Sequence, residues 1–481
     1  MGKGKSIKTN AILNIIKQCS NILIPLITYP YITRVLGAAS LGRYSFSDSI
    51  VQYAIIIATL GVSGYAIREG ARIRDDKQKI TTLASELLGI NICSLLLSSI
   101  LLALSILFVD RVRQETIIIS ILSLNMVTAV LGRDWVNSIY EDYLYITMRY
   151  IIFQCIALVG MFIFVKGPSD VYLYTCIVVF GNSGAQIANI FHTNKYVPLR
   201  IKISKDSLKH ICPILFMFSI SVASIIYINS DVTILGFLRT DQETGTYYMV
   251  GKVYTILKTL INAVITVSVP RISYYLGKND MDNYNNLLSN LRKYLFAILI
   301  PSIVGLFMLS ENVLWIIGGA EYIDGKGALQ ILCFAMLFAV FGCFYAQAIL
   351  IPNRKEKVFF YATIASAIVN VVINYLLVPY IGILGTACTT ALSEIIVVIV
   401  CMRGSRENHD KLDNAGLVDV ALGTVMIALL CAFVKLLNIG LFLETAISII
   451  GSVIVYFAVL ALRKNFIALE VINKIKGFHN R

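Results

Sequence analysis

Charge is what this sequence has least of. Asp, Glu, Lys and Arg make up only 14% of its 481 residues, against 57% apolar ones. A water-soluble domain carries about a quarter charged residues, so that class is excluded. Long hydrophilic stretches are missing as well. The longest connection between apolar runs is roughly 20 residues, too short for a folded domain outside a membrane. Histidine occurs four times (His192, His210, His409, His479) without ligand spacing, which leaves a structural metal unsupported. The ten cysteines stand apart with no CxxC, so they read as small apolar packing residues. The GKS at Gly4–Ser6 lacks the upstream glycine and the strand of a phosphate loop, and no other cofactor motif occurs, so no cofactor is expected.

What is present is a succession of apolar windows, each long enough to cross a hydrocarbon core of ~30 Å. Segmentation gives about 14 spans, an all-α polytopic membrane protein. With the N-terminus inside, the connections at 1–9, 68–81, 132–146, 192–210, 271–293, 352–357, 403–417 and 463–481 face the cytoplasm with 29 of the 41 basic residues. That asymmetry follows the positive-inside rule and returns the C-terminus to the cytoplasm. The net charge of +13 is then a matter of topology and of contact with anionic membrane lipids, not of nucleic-acid binding.

Leu36-Gly37 followed by Gly42-Arg43-Tyr44 recurs as Leu235-Gly236 followed by Gly245-Thr246-Tyr247. The copies sit at spans 1–2 and 7–8, a period of six spans, so both run the same way through the membrane. This predicts an N-lobe at 1–210 and a C-lobe at 211–402, two parallel six-helix lobes around a central site. Spans 13 and 14 with a tail occupy 403–481, outside the repeat. Polar residues fall on single helical faces of the paired spans. Span 1 has Asn10, Asn14, Lys17, Asn21 and Thr28; span 2 has Asp48, Gln52, Thr59 and Ser63. Span 7 has Ser221, Ser224, Tyr227 and Asp231; span 8 has Lys252, Thr255, Thr259, Asn262 and Thr266, with Lys258 beside that face. Four such faces predict a wet cavity. A lysine near the bilayer centre costs about 2.5–3.5 kcal/mol on insertion scales, so Lys258 needs water, a ligand, or a partner such as Asp231 or Glu394. Lys17 and Lys252 lie nearer the interfaces, where snorkelling competes with a binding role. Arg34 and Arg68 stand at opposite ends of spans 1 and 2, against head groups or substrate. Glu86 and Glu394, inside spans 3 and 12, are the candidates for proton or sodium coupling.

The stretch YPYITRVLG from Tyr29 and GRYSFSDSIVQY from Gly42 resembles the opening signature of bacterial polysaccharide flippases. These belong to the multidrug, oligosaccharidyl-lipid and polysaccharide exporter superfamily. The resemblance continues through Ser230–Tyr254, Val267–Ser273, Gly318–Leu332 and Ile368–Val397. It implies a two-lobed transporter in the bacterial cytoplasmic membrane. Its cargo would be an undecaprenyl-diphosphate-linked oligosaccharide, moved to the outer leaflet by alternating access for O-antigen, capsule or exopolysaccharide assembly. A polymerase and a chain-length regulator are the implied protein partners, and no catalytic step is implied. Related lipid II flippases place arginines near spans 1 and 2, to which Arg34 and Arg68 are nearest. Pro25, Pro30, Pro213, Pro270 and Pro301 become candidate bending points. The competing reading is a multidrug or organic-cation antiporter of the same superfamily. A glycan polymerase would need larger outer loops. The topology has a direct test: green fluorescent protein fused to the C-terminus should fluoresce, and alkaline phosphatase fused after residue 240 should be active. The reverse pattern would invert the chain.

Overall fold

The computed structural model describes residues 7–198, 200–203, 205–405, 416–466 and 468–470, and every regular element among them is helical. Both termini and the side chains of Asn10 and Asn14 lie outside the described residues. Among the described residues, twelve helices are long and apolar enough to cross a membrane. Two of them double back on themselves, which agrees with the expected count of about fourteen crossings.

The chain packs as two units, Met1–Tyr248 and Met249–Arg481. The first holds α1 (Ile7–Thr59), α2 (Val62–Ile73), α3 (Lys77–Phe108), α4 (Asp110–Gln114) and α5 (Thr116–Gly132). It continues with α6 (Asp134–Ile139), α7 (Tyr143–Phe164), α8 (Val171–Thr193), α9 (Ile211–Leu238) and the start of α10 (Asp241–Gly277). The boundary between units differs from the 210/211 junction set by the repeat. The seventh apolar segment, α9, packs along α1, so by contact it goes with the first unit.

Helix α1 is a hairpin of two helices. Its single non-helical residue is Gly37, at φ 74° and ψ 170°, a backbone state that side chains with a Cβ rarely adopt. Tyr31 donates to the Val165 carbonyl (2.7 Å) and Ser40 to the Pro168 carbonyl (3.0 Å), so both flanks of Gly37 meet the same α7–α8 connection. Before the turn, Thr147 near the start of α7 donates to the Leu13 carbonyl. After it, Ser98 and Ser94 of α3 donate to the Ala54 and Ala58 carbonyls in reverse order. Pro25 and Pro30 stay inside the helix, so the reversal lies at Gly37 and not at the prolines. A proline removes one hydrogen bond but keeps helical φ, whereas the turn needs positive φ. Pro213 sits in the first turn of α9, where its missing N–H has no helical acceptor in any case.

The two repeat copies touch. A Cβ on Gly42 would lie 1.8 Å from the Asp241 carbonyl oxygen, and one on Gly245 would lie 1.9 Å from the Ala38 carbonyl oxygen. Each glycine thus receives the carbonyl four residues ahead of the other, a reciprocal small-residue helix crossing. At the opposite end of this unit, Val62, Tyr65, Ile80, Leu83, Trp135, Ile139 and Ile214 form an apolar core that ties α2, α3, α6 and α9 together.

The second unit continues α10 and adds α11 (Met281–Met308), α12 (Ser310–Gly318), α13 (Lys326–Phe344) and α14 (Glu356–Gly404). It closes with α15 (Leu417–Leu436) and α16 (Leu441–Leu462). Helix α14 repeats the hairpin device at Gly382 (φ 52°). Thr389 donates to Asn374 (2.7 Å) and Ser393 to the Ser366 carbonyl (3.3 Å), pairing positions on either side of that glycine. The two helices outside the repeat lie on α11, where Tyr456 donates to the Ala297 carbonyl (2.7 Å) within a core of Leu309, Ile427, Cys431 and Leu460. Gly42→Leu or Gly245→Leu should abolish monodisperse protein in detergent or lower its Tm by at least 5 °C, a loss of about 2 kcal/mol or more. Gly251, which has open space around it, supplies the control in Gly251→Ala. Equal Tm in all three variants would remove the crossing from the account.

Candidate functional site

Spans 1, 2 and 7 and the start of span 8 meet in the first unit largely through residues beside the predicted polar faces, and what they assemble is hydroxylic and acidic. Tyr53 and Ser49 both meet the Thr233 hydroxyl, at 3.1 and 2.9 Å. Tyr29 and Tyr248 share a hydrogen bond of 3.2 Å. Gln52 donates to Asp48 (3.3 Å), and the Tyr247 hydroxyl donates to the buried Asp231 (2.9 Å). The cations expected among them stand elsewhere. Lys17 reaches 5.9 Å from the Tyr150 ring, while Asn21 and Arg34 are exposed. Arg68 is exposed and pairs with its neighbour Glu69 at 3.1 Å, over the Tyr65 ring. Lipid-depth hydroxyls satisfy themselves on their own helix where they can, as Thr28 does on the Ile24 carbonyl.

In the second unit the polar face of α10 is half-buried at Lys252 and Asn262 and exposed at Thr255, Thr259 and Thr266. The Asn262 Oδ1 atom is buried and accepts no hydrogen bond from the described residues. Lys258 is not a lone cation. Its Nζ lies 3.2 Å from Glu394 on α14 and 4.7 Å from the Tyr254 ring. Of the two partners named in advance, Glu394 is the one the fold supplies. Glu394 therefore enters as half of an ion pair, not as an isolated coupling carboxylate.

Glu86 is likewise engaged. Its side chain, 3% exposed, accepts from Lys202 (2.8 Å) and meets His210 Nε2 (3.1 Å), with Lys209 at 3.8 Å. The other His210 nitrogen meets the Tyr65 hydroxyl at 2.7 Å. The hydrogen bond that the Lys202 ammonium donates to Glu86 raises its pKa above the usual lysine range. Gly89, one turn along α3, lets the Lys202 carbonyl come close, and the Lys202 N–H donates to the Ser85 carbonyl (3.0 Å). The connection between spans 6 and 7 is thus clamped onto α3.

Two further clusters escape a reading based on polar stripes. Arg43 and Arg111 converge on Glu115 at 3.0 and 3.5 Å, and Arg111 also reaches Asp241 and the Gly236 carbonyl. Buried Arg133 donates to Thr193 and the Val197 carbonyl at the C-terminal end of α8. There it faces the negative end of the helix dipole, which substitutes for a carboxylate. Nearby, Arg149 (2.6 Å), Gln186 and Asn189 (2.8 Å each) gather on Asp134. Only the GRDW stretch, a charged pair at a span end, hints at this cluster in the sequence.

A groove of about 880 Å³ runs along the second unit between α11, α15 and α16. Ile298, Pro301, Ile427, Ile449 and Tyr456 line it, with Tyr294 hydrogen-bonded to Glu470 at one place on its wall.

Paired helical hairpins and twelve long apolar helices among the described residues define a multi-pass membrane protein. Residues 7–276 match the family of polysaccharide biosynthesis proteins, and the chain belongs to that family. The polysaccharide flippase resemblance of its motifs is thereby borne out. It is 23% identical over 413 residues to the "Putative O-antigen transporter" of Escherichia coli (strain K12), covering 84% of this chain and 97% of that one. Its fold is similar to "Lipid II flippase MurJ, inward closed conformation", with TM-score 0.74 and 17% identity over 95% of this chain and 100% of that one. A multidrug resistance MATE family transporter in an inward-facing conformation is more distant in fold, with TM-score 0.59 and 14% identity over 80% of this chain and 98% of that one. Glu86→Gln should free the clamped connection, so that trypsin cuts after Lys202 and Lys209 on the order of tenfold faster in folded protein. Unchanged cleavage would mean that the clamp does not depend on the carboxylate.

Proposed function

We propose that this chain flips an undecaprenyl-diphosphate-linked oligosaccharide from the inner to the outer leaflet of a bacterial cytoplasmic membrane. Both termini are cytoplasmic in this reading, and the product feeds a polysaccharide polymerase with its chain-length regulator. The observation that carries it is Lys258, a cation held at membrane depth beside the threonine face of α10, in the same unit as an apolar groove. A diphosphate and its sugars cannot cross hydrocarbon bare, because each polar group would lose its hydration without replacement. An ammonium supplies charge-assisted bonds to phosphate, hydroxyls and amides supply partners for sugar, and the groove accepts part of a polyprenyl tail. The names of the similar proteins, an O-antigen transporter and a lipid II flippase, point to cargo of this kind. Candidate contacts to the head group are Lys252, Lys258 and Asn262 in the second unit and Lys17, Asn21, Arg34, Asp48, Gln52, Arg68 and Asp231 in the first.

Buried Asp231 and half-buried Asp48 favour one rival, an organic-cation antiporter. Deleting the gene separates the two. A flippase mutant should lose surface glycan, accumulate lipid-linked repeat units on the cytoplasmic side and keep its drug sensitivity. Intact glycan with raised drug sensitivity would decide for the antiporter.

A further inference from the structure

The pair of Lys258 and Glu394 is unequal. Lys258 lies 17 residues into α10 and Glu394 lies 12 residues beyond the Gly382 turn, ~26 and ~18 Å along their helices at about 1.5 Å per residue. Both stand in the middle of membrane-spanning segments. The lysine side chain is 24% exposed and the carboxylate side chain only 6%. An anion arriving along the α10 face can reach the ammonium but not its partner. The Tyr254 hydroxyl donates to the same Glu394 oxygen at 3.0 Å. Cys343 on α13 is a further titratable neighbour, and the facing half of α14 brings the neutral Ser366.

A diphosphate that captures the three N–H donors of Lys258 leaves Glu394 as a buried carboxylate with one hydroxyl donor and no counter-charge. Such a group is sustained only by becoming neutral. We propose that Glu394 takes up one proton whenever an anionic diphosphate head group takes over Lys258, so that loading of the transporter is proton-linked through this ion pair. The inference rests on the diphosphate cargo proposed above. In the exchange the Lys258 ammonium keeps its proton and trades a carboxylate for a phosphate oxygen. The Glu394 carboxylate becomes a carboxylic acid with a proton from the adjoining water, and the Tyr254 hydroxyl turns from donor to acceptor. The protein gains one positive charge to set against the charge of its load. Unloading reverses each step and returns the proton on the side of release.

The test uses the full-length protein in lipid nanodiscs, titrated with geranylgeranyl diphosphate in weakly buffered solution containing a pH-indicator dye. Wild type should take up about one proton for each ligand bound. Between pH 7.5 and 8.5, where the ligand's own ionisation is complete, its affinity should fall about tenfold per pH unit. Glu394→Gln should bind without proton uptake and with affinity independent of pH, and Lys258→Gln should lose at least tenfold in affinity. If Glu394→Gln is not recovered folded, the wild-type pH slope and the double variant Lys258→Gln, Glu394→Gln, which leaves no orphan charge, carry the test. That variant should neither bind nor take up protons. Wild-type binding without proton uptake, or uptake that survives in Glu394→Gln, overturns the proton link and leaves the cargo standing. Failure of wild type to bind the probe at all overturns the cargo and the link together.

Discussion

A polar group at membrane depth has no water to fall back on, and the interior of this protein is arranged by that constraint. At that depth Lys258 has Glu394, while at the span ends Glu86 has two lysines and a histidine, and Arg43 and Arg111 share Glu115. Arg133 rests on helix-end carbonyl and hydroxyl oxygens. Threonine and serine hydroxyls return to carbonyls one turn back on their own helices. Leaving one partner of such a pair alone costs more than the pair contributes, which is why these clusters hold their elements in register.

Close backbone approach is the second organising feature. Gly42 and Gly245 let the second half of α1 and the start of α10 touch without side chains between them, each accepting a carbonyl from the other helix. Around that crossing Phe46 packs edge-on against Phe237, and Arg111 lies over Phe46 while reaching the Gly236 carbonyl. Packing and polar satisfaction reinforce each other at this end of the unit. Far from it, the Glu86 clamp performs the corresponding task for the connection between spans 6 and 7.

Much of this is legible in the residues. The apolar windows and the short connections between them specify a helical membrane protein, and the Leu-Gly…Gly-x-Tyr repeat marks the two places that meet. Spans 2 and 7 do meet, but through residues beside the stripes: Tyr53 hydrogen-bonds to Thr233, and Thr233 donates to Ser49. Less legible is the sign of the lining. A helical wheel places Lys17, Arg34 and Lys258 near polar faces but is silent on whether a carboxylate from another helix stands opposite. Position 394 lies 136 residues from Lys258, and only packing of α14 on α10 makes them partners. Pro25 and Pro30 stay inside a helix, and the reversals between paired spans lie at Gly37 and Gly382, because turning back needs positive φ rather than a missing N–H.

The sequence by itself determined class and family: hydrophobic length sets the crossings, because each helix must close its own hydrogen bonds in lipid, and that requirement is local. Tertiary structure alone decided which charges are free and which are spent. The energy of a buried charge depends on what stands within a few ångströms, and that distance is set by helices remote along the chain.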